Sequence, residues 1–153
     1  MPQRVHMDDR AHLPAVPVWR VFPYDTVTST QDIAHRLTDT CPEPFAVRAG
    51  MQTQGRGQFG RSWSAEKGSA VLATFVLPRA QVAHPELVSL SAGVAACGAV
   101  RDAGVNAACK WPNDIQTPRG KLGGILVEAT SERLFIGIGI NVTSPAAAAA
   151  GRT

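Results

Sequence analysis

The segment Ile136-Gly-Ile-Gly-Ile-Asn-Val142 constrains the fold more than any other. A β-branched residue alternates with glycine at a period of two, which reads as a strand and not as a helix. One face of that strand carries isoleucine and the other is bare. A bare face beside another sheet element suits the floor of a pocket, or simply tight packing.

The remaining elements fall on either side of it. Trp19-Arg-Val-Phe22 reads as a short strand. Ser29-Thr-Gln-Asp32 has the S-x-x-D form of a helix N-cap, and Ile33, Ala34 and Leu37 supply one apolar helical face. Pro42 and Pro44 stop that helix before a strand at Phe45–Ala49. Residues 50–68 hold five glycines and read as a long loop, a feature that is usually functional or disordered in a compact domain. Ser69–Leu77 is a buried-type strand. A second helix is expected from Pro85 to about Ala103, with Gly104 at its C′ position. Ala107–Trp111, Asp114–Gln116, Lys121–Ala129 and Arg133–Val142 follow as strands, the middle two joined by the turn Thr117-Pro-Arg-Gly120. Two helices among six or seven strands predict an α+β fold: a mixed, mainly antiparallel sheet with helices packed on one face.

At 153 residues the chain suits one domain. Residues 18–142 are expected to form it, with a mobile tail at 1–17 and a low-complexity tail at 143–153. Apolar residues make up 44% and charged residues 18%, which excludes a wholly disordered chain. A net charge of +3 is too small to argue for nucleic acid. The longest strongly apolar run, Val71–Leu77, is far short of the ~20 residues that span a bilayer. Cys41, Cys97 and Cys109 form no CxxC pair, no Cys/His cluster has zinc spacing, and the N-terminus lacks the apolar core of a signal peptide. A reducing, cytoplasmic setting with free thiols is the expectation.

Four segments carry chemistry. Gly55-Arg-Gly-Gln-Phe-Gly-Arg61, followed by Trp63, combines backbone that can approach a ligand closely with two arginine forks suited to carboxylate or phosphate. Residues 45–80 hold five basic side chains against Glu66 alone, which locates the excess positive charge here. The same composition also makes a solvated loop. It is neither a Rossmann fingerprint nor a Walker A loop. Lys110-Trp-Pro-Asn-Asp114 sets a cation, an amide and a carboxylate within five residues, as a plain turn or as a metal-nucleotide corner. In Lys121-Leu-Gly-Gly-Ile-Leu-Val-Glu128 paired glycines weaken the strand, so close approach of another group is one explanation and a mere edge strand the other. The fourth segment is 136–142. His35 is expected on the solvated side of the first helix. No Ser/His/Asp or Cys/His arrangement stands out, so a reaction needing an enzyme nucleophile is unsupported.

In this order, after Ser29-Thr30-Gln31 at a helix start, the segments resemble the catalytic domain of biotin protein ligases. The resemblance rests on Gln52, Gly55-Arg56-Gly57, Gly60-Arg61, Trp63, Lys110–Asp114, Lys121, Gly124–Leu126, Glu128, Gly137, Gly139 and Asn141. It implies a class II synthetase-like fold and a two-step ligation. Biotin and ATP, with Mg²⁺, would give biotinyl-5′-AMP, and a lysine of a biotin carboxyl carrier domain would then take the biotinyl group. It also implies roles. Ser29, Thr30, Gln31 and Gln52 hydrogen-bond the biotin rings, and Gly55, Gly124 and Gly137 line their slot. Arg56, Gly57 and Gln58 belong to a loop that closes over the ligand beside Trp63. Arg61 faces phosphates, and Lys121 neutralises charge at the carboxylate–phosphate junction. Lys110, Asn113 and Asp114 serve nucleotide, metal or the incoming lysine, and Asn141 completes the set. Lys121, Arg56 and Asp114 are the expected catalytic residues, with no metal held by protein ligands alone. Partners are the carrier domain, biotin and ATP, with no nucleic acid or membrane, and a homodimer is compatible with the pattern.

Three departures from the family pattern stand out. Gln31 replaces an asparagine, Gln58 replaces a residue that is often basic, and the 153 residues given stop short of where the family's C-terminal part and small β-barrel are expected. The resemblance leaves two other readings open, a lipoate–protein ligase and a non-catalytic biotin-binding remnant.

Overall fold

The computed structural model describes residues 19–143. The expectations for residues 1–17 and for the end of the chain from 144 onward lie outside the described residues. Along the chain run β1 (Arg20–Val27), α1 (Thr30–Leu37), β2 (Phe45–Gln52), β3 (Gly55–Arg56), β4 (Ser62–Trp63), β5 (Ala70–Pro78), α2 (Val88–Asp102), β6 (Ala108–Lys110), β7 (Asp114–Thr117), β8 (Gly120–Ala129) and β9 (Arg133–Asn141). Seven strands form one sheet in the order β1-β2-β5-β9-β8-β7-β6, and β3 and β4 form a separate ribbon. β1 and β2 are parallel, and every other neighbouring pair in the large sheet is antiparallel. The class is therefore α+β with a mixed, mainly antiparallel sheet.

Local chemistry explains the helix ends. The Ser29 hydroxyl accepts from the Gln31 N–H at 3.2 Å and caps α1, whose first turn carries Asp32 near the positive end of the dipole. α1 is the crossover that a parallel β1–β2 pair requires. Gly104, at φ +85°, takes the left-handed conformation just beyond α2.

Strand alternation decides which helix covers which face. On β9, Leu134 and Ile136 point to one side and pack with Val88, Ala96, Cys97 and Val100 of α2, with Ile115 and with Ile125. Phe135 points to the other side and packs with Ala34 of α1, Phe45, Val47 and Val76. The two helices therefore lie on opposite faces. This corrects the expectation of a single helical face: successive side chains of a strand point opposite ways, and each helix claims one parity.

Two further expectations change. His35 is not simply solvated: its ring stacks on Phe135 with centroids 3.7 Å apart, and its Nε2 lies 2.9 Å from Glu128 Oε2. The 50–68 loop is more ordered than its composition implies. It continues β2 to Gln52, then folds the β3–β4 ribbon around a 3₁₀ turn at Gln58–Gly60.

Candidate active site

A cavity of about 380 Å³ opens on the α1 face of the sheet. The N-terminus of α1 forms one wall, the β3–β4 ribbon a second and the Lys110–Asp114 corner a third. Gly124, Gly137 and Gly139 form its floor. Register explains the floor: Gly124 pairs with Gly139, and Gly137 pairs with Leu126 and Thr74. The isoleucines that alternate with Gly137 and Gly139 along β9, Ile136 and Ile138, pack with the α2 cluster. The indole of Trp63 rests on Gly139, where an added Cβ would lie 2.7 Å from Cε2. Gly139 therefore admits an aromatic wall as well as leaving a bare floor.

The polar wall divides into satisfied and unsatisfied groups. Gln52 Oε1 accepts from the Thr30 N–H at 2.8 Å and from the Thr30 hydroxyl at 3.0 Å, and Thr74 donates to Thr30 at 2.9 Å. By contrast, both amide atoms of Gln31, the Trp63 Nε1 and the Asn141 Oδ1 are buried without a partner. Each such atom costs about 1–3 kcal/mol. Their owners all border one cavity, which is where a polar ligand would satisfy them.

Four cations face the same space. Lys121 Nζ sits 2.7 Å from Asp114 Oδ1 where β7 and β8 meet. Arg56 is held by two carboxylates, Asp32 through Nη1 and Glu128 through Nη2 at 3.3 Å. Burial pushes the Asp32 carboxyl up, but the hydrogen bonds from Arg56 and Thr28 outweigh it and hold it below its ordinary value. Arg56 moves up in response, chiefly through Asp32. Among the described residues Arg61 and Lys110 have no carboxylate within 4.0 Å. Asn113 is structural in this arrangement: its Nδ2 donates to the Ile125 carbonyl at 2.9 Å and its own carbonyl accepts from the Ile125 N–H.

Every residue singled out from the sequence as a site residue borders this cavity except Gly55. Gly55 is buried behind it, where a Cβ would collide with the Trp63 carbonyl and the Gln52 amide, so it makes room for the ribbon rather than for a ligand. Two exposed aromatics were not anticipated as part of the rim. Trp111 is 77% exposed, and Phe59 is 89% exposed at φ +58°, a conformation that costs a non-glycine residue energy. Their signal in the sequence was their place inside the two motifs. Asp32 and His35 carried none, because their partners, Arg56 for Asp32 and Glu128 for His35, are remote in the chain.

The family model for the biotin/lipoate A/B protein ligase family matches residues 21–143. The chain belongs to that family. Among curated members it is 38% identical over 127 residues to the bifunctional ligase/repressor BirA of Bacillus subtilis, covering 78% of this chain and 39% of that protein. It is 34% identical over 98 residues to the biotin–[acetyl-CoA-carboxylase] ligase of Mycobacterium tuberculosis, covering 60% of this chain and 37% of that one. The chain thus spans about two fifths of the length of these family members. Among solved structures, the Leishmania major biotin protein ligase in complex with biotin superposes with a TM-score of 0.73 at 34% identity, over 82% of this chain and 57% of that one. The Aquifex aeolicus biotin protein ligase in complex with biotin and ATP gives 0.72 at 29%, over 82% and 53%. A Thermoplasma acidophilum lipoate protein ligase, at 10% identity and a TM-score of 0.59, shares the fold alone.

Proposed function

We propose that this domain activates the carboxylate of biotin with ATP to form biotinyl-5′-AMP, and passes the biotinyl group to a lysine of a biotin carboxyl carrier domain. The observation that carries this reading is the convergence of Gln31, Lys121 and Arg61 on one glycine-floored cavity. The unpartnered Gln31 amide offers both a donor and an acceptor to a small polar ring such as the biotin ureido group. The similarity to ligases solved with biotin and with ATP supports the same substrates here.

The chemistry asks little of the protein beyond positioning and charge. A biotin carboxylate oxygen attacks the α-phosphorus and pyrophosphate leaves with the broken P–O bond. Two anions must meet, so cations in a shielded site offset their repulsion. Lys121, held by Asp114, stands over the glycine floor for this purpose, while Arg61 and Lys110, with no carboxylate partner among the described residues, are placed to meet phosphates. In the second step a neutral lysine amine attacks the acyl carbon and AMP departs. Mg²⁺ fits as a phosphate-bound ion, since it commonly takes only one or two protein carboxylates, and among the described residues Asp114 is the one that borders the cavity. When bound it would neutralise phosphate charge.

Biotin-dependent ATP–pyrophosphate exchange tests the reading. Exchange with biotin, reduced about 10²–10³-fold in Lys121→Ala, is the expected result. Exchange with lipoate in place of biotin would select the lipoate ligase reading. Biotin binding without exchange would reduce the domain to a binding module.

A further inference from the structure

Away from the cavity, on the opposite face of the sheet, two thiols meet. Cys97 lies in α2 and Cys109 in the edge strand β6, and their sulfurs are 3.2 Å apart. The Cys109 sulfur is laid across α2: a Cβ added at Gly93, one turn before Cys97, would sit 3.4 Å from it. A disulfide bond is about 2.05 Å long, so roughly 1 Å of sulfur movement would join them. The two differ sharply in access. Cys97 is 2% exposed, whereas Cys109 is open to solvent.

We propose that Cys97 and Cys109 form a dithiol site that reacts with small-molecule disulfides of the glutathione class and closes to an intramolecular disulfide, stapling β6 to α2. Access fixes the order of events. The Cys109 thiolate attacks one sulfur of the small disulfide, the S–S bond breaks, and the other half leaves as a thiolate that takes a proton from water. The Cys97 sulfur then attacks the Cys109 sulfur of this mixed disulfide. Its proton goes to solvent, and the second small thiol leaves. Two protein thiols are oxidised and one small disulfide is reduced to two thiols.

Burial, and then the contact with Cys109, push the Cys97 thiol up to about 11, while Arg101 one turn further on opposes this. Cys97 therefore stays protonated until its partner is activated, which suits a resolving thiol. Cys41 takes no part, because it is buried in the cluster beneath α1. The staple would act on a strand that needs one. Among the described residues β6 pairs only with β7, and its last residue, Lys110, borders the cavity.

The test is to incubate the full chain with oxidised glutathione, alkylate the remaining thiols under denaturing conditions, and measure intact and peptide masses. One alkylated cysteine instead of three is expected, with a peptide joining Cys97 to Cys109 that dithiothreitol releases. The closed form should also melt at a higher temperature than the reduced form, because the link restricts the unfolded chain. Cys97→Ser should trap glutathione on Cys109, and Cys109→Ser should leave the other two thiols unreacted. Should Cys97→Ser fail to fold, Cys109→Ser, at an exposed position, still decides the matter. Three alkylated cysteines, a lasting glutathione adduct in the native chain, or a disulfide between two chains would overturn the proposal. So would a closed form that melts no higher.

Discussion

The two faces of β9 are made by the same nine residues and follow opposite rules. The face under α2 is aliphatic at every step, from Leu134 through Ile136 and Ile138 to Ile140. The other face begins as core at Phe135 and then gives up side-chain volume at Gly137 and Gly139. The first face stabilises by filling space. The second opens a cavity by leaving space unfilled, and tolerates buried polar atoms on Gln31, Trp63 and Asn141 that a filled core would exclude. Packing and open cavity space are thus assigned to alternate residues of one strand.

Substitutions that act on one face alone test this division. Ile136→Ala, on the filled face, should lower stability by about 2–5 kcal/mol in chemical denaturation, with pyrophosphate exchange per folded molecule unchanged. A parallel loss of exchange in the folded fraction would break the division. Gly139→Val, on the open face, should leave far-UV circular dichroism intact but displace the Trp63 indole and lower exchange about 100-fold or more. Lost folding instead would mean that the open face is also structural.

Asp32→Asn sharpens the comparison at the edge of the open face. The Asp32 carboxyl is held below its ordinary value of 3.8, so its pairing with Arg56 stabilises fully above that pH and is lost as pH falls through the lowered value. The native chain should therefore lose about 0.2–1 kcal/mol more than Asp32→Asn on acidification through that range. Identical acid profiles would show that the pair adds nothing. The smallest effect is expected at Gln58→Arg, which adds a cation to the rim and should slow release of biotinyl-adenylate. Equal release rates would show that Gln58 leaves retention of the intermediate unaffected.

Much of this was legible because it is local. The Gly-Ile alternation of residues 136–142 contains both the strand and its bare face, and the S-x-x-D start of α1 contains its cap. The motif order was enough to gather the cavity residues from Ser29 to Asn141. What could not be read depends on contacts remote in sequence. The face each helix takes is set by how the crossovers wrap the sheet. His35 meets Glu128 93 positions away, and nothing in its own turn of helix announces that partner. Gly55 was misread for a related reason: its small size serves the ribbon packed in front of it, which only tertiary structure reveals. The Cys97–Cys109 contact had no CxxC spacing to mark it.

The division of labour along β9 also bears on how such a gene can change. Inserting or deleting a single codon between Ile136 and Asn141 would turn every later residue over, sending isoleucines into the ligand space and glycines beneath α2. Both properties would be lost at one stroke. This stretch can be edited letter by letter, but its length is fixed.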